Sequence, residues 1–276
     1  MSVFSNLSNL LRTFGTLRTS RFTDDDPALF LFDGGTDSAY ENYALLAPDE
    51  LARQRTSPSD LADILDAGFR FFAKTGRPHI WPLFPGLPDE TGEMLAARGA
   101  HLDEVFHGMT LDLDARKPLS VDRDRERDES PAVVAVRPEE TKAWADATWF
   151  GFDSDAAPPD TFVRFAAELS GCEGVFLAAS EAPAEFDDAP RFSAAGMIFL
   201  SEGGAGLYYI ATRPAFRRRG LGARIVEHLL RIAQTAGCKE ACLLATPHGR
   251  PLYERLGFEV VSPVPIHVFG EFHADA

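Results

Sequence analysis

Residues 216–225 read Phe-Arg-Arg-Arg-Gly-Leu-Gly-Ala-Arg-Ile, three consecutive arginines and two glycines directly before an apolar helical pattern. The chemistry such a stretch offers is anion binding. A helix start exposes backbone N–H groups that lack an intrahelical acceptor, at the positive end of the helix dipole. Gly220 and Gly222 let a ligand come close to the main chain. With a strand-like run at 208–214 in front, the arrangement suits a pyrophosphate, which the arginines supplement from the rim. Two other phosphate loops fail on single residues. A Walker-type loop needs Lys-Ser/Thr after its last glycine, where Ala223 and Arg224 stand; a dinucleotide G-x-G-x-x-G needs glycine where Ile225 stands. A glycine-containing loop with solvated arginines is the other reading of the same residues.

The elements that position this turn follow from periodicity. Leu221, Ile225, Leu229, Ile232 and Ala236 share one helical face, Arg224 and Arg231 lie off it, and Gly237 supplies the stop. Strand-like 240–247, a short segment at 251–258 and an apolar run at 259–269 follow. The first half repeats that order: 42–48, a helical pattern at 60–76, then 79–85, 93–100 and 104–113. Pro48 with Pro214, Gly76 with Gly237 and Gly99 with Gly257 keep a nearly constant offset, which predicts an internal duplication. The first copy has no arginine–glycine turn, and Leu95 stands where Tyr253 stands in the second. It reads as a degenerate lobe that is structural or shapes a substrate site. Residues 114–131 are polar, densely charged and unpatterned. The expected division is 1–115, a linker at 116–130, and 131–276.

Whole-chain properties narrow the partners. The net charge of -15 argues against nucleic acid and mildly favours a cationic substrate. No apolar run nears the roughly 18 residues of a membrane span, so no membrane partner is expected. Cys172, Cys238 and Cys242 are too few for a disulfide framework and lack metal-ligand spacing. Free thiols in a reducing cytoplasm and no metal are expected. The first 22 residues have a transit-peptide composition, without an acidic side chain before Asp24. However, Leu7, Leu10, Leu11, Phe14 and Leu17 fall on one helical face, and a packed helix is the preferred reading.

The segment 208–230, "YYIATRPAFRRRGLGARIVEHLL", followed by "GRPLYERLGFEVV" at 249–261, resembles the GCN5-related N-acetyltransferase (GNAT) superfamily. The match is to its acyl-CoA motif R/Q-x-x-G-x-G/A, carried here by Arg217, Gly220 and Gly222. The resemblance covers roughly 131–270, and the first half resembles a degenerate copy, as in tandem members. It implies an α/β (α+β) fold: a mixed, mostly antiparallel central sheet flanked by helices, splayed where its fourth and fifth strands part, in two tandem lobes. It further implies acetyl-CoA as co-substrate. The N–H groups of Arg218, Arg219, Gly220, Leu221, Gly222 and Ala223 would hold its pyrophosphate. Ile210, Ala211 and Thr212 would pair with pantetheine, and Thr246 takes the place of an asparagine near it. Tyr253 matches a tyrosine that protonates the departing thiolate. Pro251 shortens the segment before that tyrosine.

Acyl transfer to an amine needs a neutral amine, a stabilised oxyanion and a protonated leaving group, and a phenol of pKa about 10 is a competent acid toward a thiolate. No base is evident: Tyr208, Tyr209 and Ile210 supply no carboxylate where some members carry glutamate. Glu202, Asp153, Asp155 and His248 could line an acceptor pocket or be solvated, and water could mediate the deprotonation. Trp149, Phe150 and Phe152 fall where the family shapes its acceptor site, or pack in the core. Cys172 could suggest a ping-pong nucleophile, but direct transfer in a ternary complex is preferred. The expected function is transfer of an acetyl group from acetyl-CoA to a primary amine. The alternative is a non-catalytic acyl-CoA sensor.

Overall fold

Among the described residues, eleven strands form one sheet, in the order β1-β2-β3-β4-β11-β5-β10-β9-β8-β7-β6. The computed structural model describes residues 2–18, 20–115, 131–183, 190–201 and 203–270. The expected linker at 116–130 and the candidate Glu202 lie outside them. The first half contributes α1 (Val3–Phe14), β1 (Arg21–Asp26), β2 (Leu29–Asp33), β3 (Asn42–Leu46), α2 (Pro48–Gln54), α3 (Pro58–Ala73), β4 (His79–Pro82), α4 (Thr91–Ala96) and β5 (His101–Asp112). The second contributes β6 (Val133–Ala135), α5 (Thr141–Gly151), α6 (Asp160–Leu169), β7 (Val175–Glu181), β8 (Phe192–Ser201), β9 (Gly204–Thr212), α7 (Leu221–Thr235), β10 (Glu240–Ala245), α8 (Arg250–Arg255) and β11 (Glu259–Phe269).

The strand order shows an exchange. β11 of the second half lies between β4 and β5 of the first, and β5 lies between β11 and β10. The two strands also pair with each other, antiparallel, from Glu259↔Thr110 to Val268↔His101. Around this central pair the halves correspond. β3 is parallel to β4 as β9 is to β10, while the remaining described pairings are antiparallel. The glycines of the expected duplication agree in conformation: Gly76 and Gly237 have φ of 68° and 81°, Gly99 and Gly257 of 90° and 93°. All four stop a helix in the left-handed region, where a Cβ is disfavoured.

Strand alternation sorts the apolar side chains onto two faces. On one face, Phe30 and Phe32 of β2, Val264 and Ile266 of β11, and Ala195 and Met197 of β8 share a core with α1, α5 and α6. On the other, α3 and α4 cover the first half, and α7 and α8 cover the second. In α1 the Ser2 hydroxyl caps the Ser5 N–H at 3.0 Å. Leu7, Leu10, Leu11 and Phe14 are buried, as the helical face predicted. Each such side chain contributes about 1.5–3 kcal/mol of burial. In α3, Ser57 and Asp60 form a capping box behind Pro58.

Pro263 and Pro265 sit inside the central strand β11, where prolines usually break a ladder. Here the Pro265 carbonyl accepts from Leu83, just past β4. The nitrogens of both prolines therefore face the β4 side, where β4 has ended. The ladder with β5 loses no donor.

Candidate functional site

β9 and β10 pair only from Gly204↔Glu240 to Gly206↔Cys242. Beyond that they part, while β10 stays on β5 as far as Ala245↔His107. At the same place β9 bulges. Ala195 faces Ala211 and Met197 faces Tyr208, so Tyr209 and Ile210 both lie opposite Gly196. Tyr209 takes a φ of 55°, a left-handed conformation that costs a non-glycine residue about 1–2 kcal/mol. The bulge turns Tyr208 and Tyr209 toward the α1/α5 core and Ile210 toward α7. Two contacts hold it: the Trp144 indole donates to the Gly196 carbonyl at 3.1 Å, and Trp144 meets the Tyr209 ring edge-on at 5.7 Å. A Cβ on Gly196 would come within 2.5 Å of Ile225 and 2.8 Å of Ile210.

The arginine–glycine turn sits at the end of the parted strand. Arg218 and Gly220 have φ of 63° and 78°, and α7 starts at Leu221. Left-handed residues alternating with others turn successive N–H groups toward one concavity. The first main-chain donor to reach back is Arg224, to Gly220 at 3.2 Å. The N–H groups of Leu221, Gly222 and Ala223 have the free position of any helix start. A Cβ on Gly220 would meet nothing within 4 Å, so its φ is what requires glycine and the space before it is open. A Cβ on Gly222 would stand 3.4 Å from Leu252 and 3.7 Å from Thr212. A longer side chain there would fill the gap between β9 and α8. This cradle fits a narrow, phosphate-bearing ligand.

Arg217 has another task. Its guanidinium donates to the carbonyls of Thr212 (3.1 Å) and Gly151 (2.9 Å) and pairs with Asp153 at 2.7 Å, tying the end of α5 to the end of β9. Arg213 donates its N–H to Ser193 of β8, so strand alternation turns the Thr212 main chain to the parted side. Ala211 is buried, and Ile210 and Thr212 are half-buried. Thr246 is half-buried and its hydroxyl accepts from the Gly249 N–H at 3.0 Å, closing the turn before α8.

Tyr253, on α8, is 9% exposed and packs edge-on against Phe258 at 5.9 Å. Among the described residues its hydroxyl meets no hydrogen-bond partner. Burial pushes its pKa well above the usual 10 and keeps the phenol protonated. Leu95 occupies the corresponding place on α4 and is fully buried.

The other candidates scatter. Asp153, Asp155 and His248 are exposed. Trp149 packs on Phe162 (5.1 Å), Phe150 lies under the Arg213 guanidinium (4.8 Å), and Phe152 is exposed. Burial, then Glu168, raises the Cys172 pKa, so this thiol is no ready nucleophile. Among the described residues no cluster of His, Cys, Asp or Glu is arranged to hold a metal, and no helix is long and apolar enough to cross a membrane.

The wall opposite β9 comes from the first half, expected to be structural or to shape a substrate site, although none of the residues that form it was singled out from the sequence. β5 runs on past the last residue of β10, so residues 101–106 have β11 on one side and the parted gap on the other. Tyr40 donates to Asp103 and stacks on Phe106 at 5.9 Å. Burial, then Asp103, raises the pKa of Glu104. Glu41 accepts from the Tyr209 hydroxyl at 2.7 Å, across 168 residues of sequence. Above it, Tyr208 donates to Asn6 of α1, which packs onto Gly206 where β9 and β10 separate.

A splayed parallel pair, a bulged strand and a glycine turn opening a helix form the mixed α/β arrangement that the sequence resemblance implies. The family model for the acetyltransferase (GNAT) domain matches residues 175–260. A protein of Oryza sativa subsp. japonica named "Probable glucosamine 6-phosphate N-acetyltransferase 2" is 33% identical over 35% of this chain and 73% of its own. Among solved structures, a GCN5-related N-acetyltransferase from Kribbella flavida superposes with a TM-score of 0.63 at 17% identity, over 99% of this chain and 98% of that one. A tandem GNAT protein from the clavulanic acid biosynthesis pathway superposes with a TM-score of 0.53 at 15% identity, over 88% and 79%. The chain belongs to the GCN5-related N-acetyltransferases, whose domains use acetyl-CoA as co-substrate.

Proposed function

We propose that this chain transfers an acetyl group from acetyl-CoA directly to the primary amine of a small cationic acceptor. The observation that carries the reading is the glycine turn that opens a helix at the end of the parted strand, with the unbonded hydroxyl of the largely buried Tyr253 on α8. Arg218, Arg219, Gly220, Leu221, Gly222 and Ala223 hold the pyrophosphate through main-chain N–H groups. Ile210, Ala211 and Thr212 receive the pantetheine along the parted edge of β9, with Thr246 on the facing turn. Arg217 keeps that edge in place through its bonds to Thr212 and Gly151.

The chemistry then needs three things. A main-chain N–H of the bulged segment stabilises the negative charge that develops on the thioester oxygen. Tyr253 gives its proton to the sulfur as the carbon–sulfur bond breaks. The phenol is protonated at neutral pH, and because burial raises its pKa it gives up the proton only as full negative charge develops on the sulfur. The amine enters from the wall that carries Asp103 and Glu104. Two carboxylates favour an ammonium and disfavour a phosphorylated acceptor such as the one in the rice relative's name. In this reading 131–276 is the acetyltransferase domain, 1–115 its degenerate partner and 116–130 the linker.

Calorimetry tests the reading first. The native chain should bind acetyl-CoA and Gly222→Glu should not. A screen of primary amines by CoA release should then favour multiply charged amines such as spermidine over glucosamine 6-phosphate. No binding by the native chain would refute the proposal.

A further inference from the structure

Glu41 is a buried charge for which the acyl-transfer reading has assigned no task. It ends a short 3-10 turn, Ala39–Glu41, and is 8% exposed. One carboxylate oxygen accepts from Tyr209. Among the described residues, the other has no hydrogen-bond partner and no Lys, Arg or His pairs with the group. The titratable side chains around it are tyrosines: Tyr43 from β3, and Tyr209 with its neighbour Tyr208 from β9. From α1 comes the neutral Asn6, whose oxygen is committed to Tyr208 and whose amide donates to Ser201. A carboxylate withdrawn from water without a counter-charge is costly. Its place explains the cost. Tyr209 sits in the bulge, directly before Ile210, so Glu41 lies one tyrosine side chain away from the segment that receives the thioester.

We propose that Glu41, supplied by the first half, receives the ammonium of the acceptor and takes its proton, completing the active site of the second half. This rests on the acetyl-transfer reading above. The proton moves from R–NH3+ to the Glu41 carboxylate, leaving a neutral amine whose lone pair forms the new bond to the acyl carbon. As the carbon–sulfur bond breaks, the thiolate takes the proton of Tyr253, and the phenol is restored by the second proton of the attacking nitrogen. Glu41 returns its proton to solvent, so amide, CoA thiol and one H+ leave. Burial, partly offset by the bond from Tyr209, pushes the pKa of Glu41 up to about 7, poised to carry a proton at neutral pH.

Glu41→Gln separates a proton acceptor from a brace. Glutamine still accepts from Tyr209 but takes no proton. With acetyl-CoA present and glutamate carboxyls labelled with carbon-13, one resonance of the native chain should titrate near 7 and be absent from E41Q. Ethylammonium should lower that midpoint by roughly half a unit or more, as a cation seated beside a carboxylate does, while ethanol should not. E41Q should keep its affinity for acetyl-CoA and lose about 10²-fold or more in kcat/KM at pH 7, together with the acid limb of the pH profile. The assignment falls if no such resonance exists, if ethylammonium leaves it unmoved, or if E41Q keeps native turnover. Failure of the native chain to bind acetyl-CoA would refute the acetyl-transfer reading instead, and the ethylammonium titration would still decide Glu41.

Discussion

Glu41→Gln should stabilise the folded chain above neutral pH and leave it unchanged in acid. The carboxyl has an ordinary pKa of 4.5 and is pushed to about 7 in the fold by burial. A folded state whose carboxyl pKa is raised binds more protons than the unfolded chain between these values, so stability falls as pH rises through that window. The slope is about 1.4 kcal/mol per pH unit for one proton, which makes the penalty about 3 kcal/mol once pH exceeds 7. Glutamine keeps the bond from Tyr209 and carries no charge, so it escapes the penalty. Thermal melts of the two proteins at pH 4.5, 6 and 8 measure the difference directly. At about 2 °C per kcal/mol for a chain of this size, E41Q should melt about 6 °C higher than the native chain at pH 8 and within about 1 °C at pH 4.5. A gap that is the same at all three pH values would show that Glu41 ionises like an exposed carboxylate, and the argument from its burial would fail.

Four further perturbations follow from the same contacts. Tyr253→Phe should reduce kcat about 10²-fold, keep acetyl-CoA affinity within about twofold by calorimetry, and barely shift the melting temperature, because the hydroxyl has no partner to lose. Gly220→Ala meets open space but must hold a φ of 78°, so denaturant titration should show a loss of about 1–2 kcal/mol. Gly196→Ala overpacks Ile225 and Ile210 behind the bulge and should cost about 1–3 kcal/mol in the same titration. Fragments 1–115 and 131–276 should aggregate when expressed apart and co-purify one to one when expressed together, as size-exclusion chromatography would show; two soluble, folded fragments would contradict the strand exchange.

Much of the second half was legible because its signals are local. The apolar face from Leu221 onward, the stop at Gly237 and the order of 208–269 gave α7, β10, α8 and β11 nearly in place. Leu7, Leu10, Leu11 and Phe14 likewise announced α1. The repeat was legible through glycines that need positive φ. The exchange of β5 and β11 was not, since pairing between distant strands leaves no local period, and the sequence of β11 with Pro263 and Pro265 argues against a central strand. Glu41 was missed for the same reason. Nothing in the turn around Ser38 and Tyr40 hints at a tyrosine 168 residues later. The polar candidates legible in the sequence, Asp153, Asp155, Glu202 and His248, all belong to the second half, whereas the carboxylate that meets Tyr209 comes from the first. Arg217 was read with the loop's cations, and its bonds to Gly151 and Asp153 show a side chain turned to bracing.

The central pair of the sheet also sets the order in which the chain can become itself. Until residues 259–269 emerge from the ribosome, β4 and β5 lack the strand that belongs between them, and two unpaired edges with apolar faces stay open. Every other strand of the sheet is by then already synthesised, so the first half waits through about 150 residues of elongation, on the order of ten seconds, before it can close. Contacts of such long sequence separation form slowly. A nascent chain of this design carries open edges throughout that interval, and it commits both halves to the folded state in one late event.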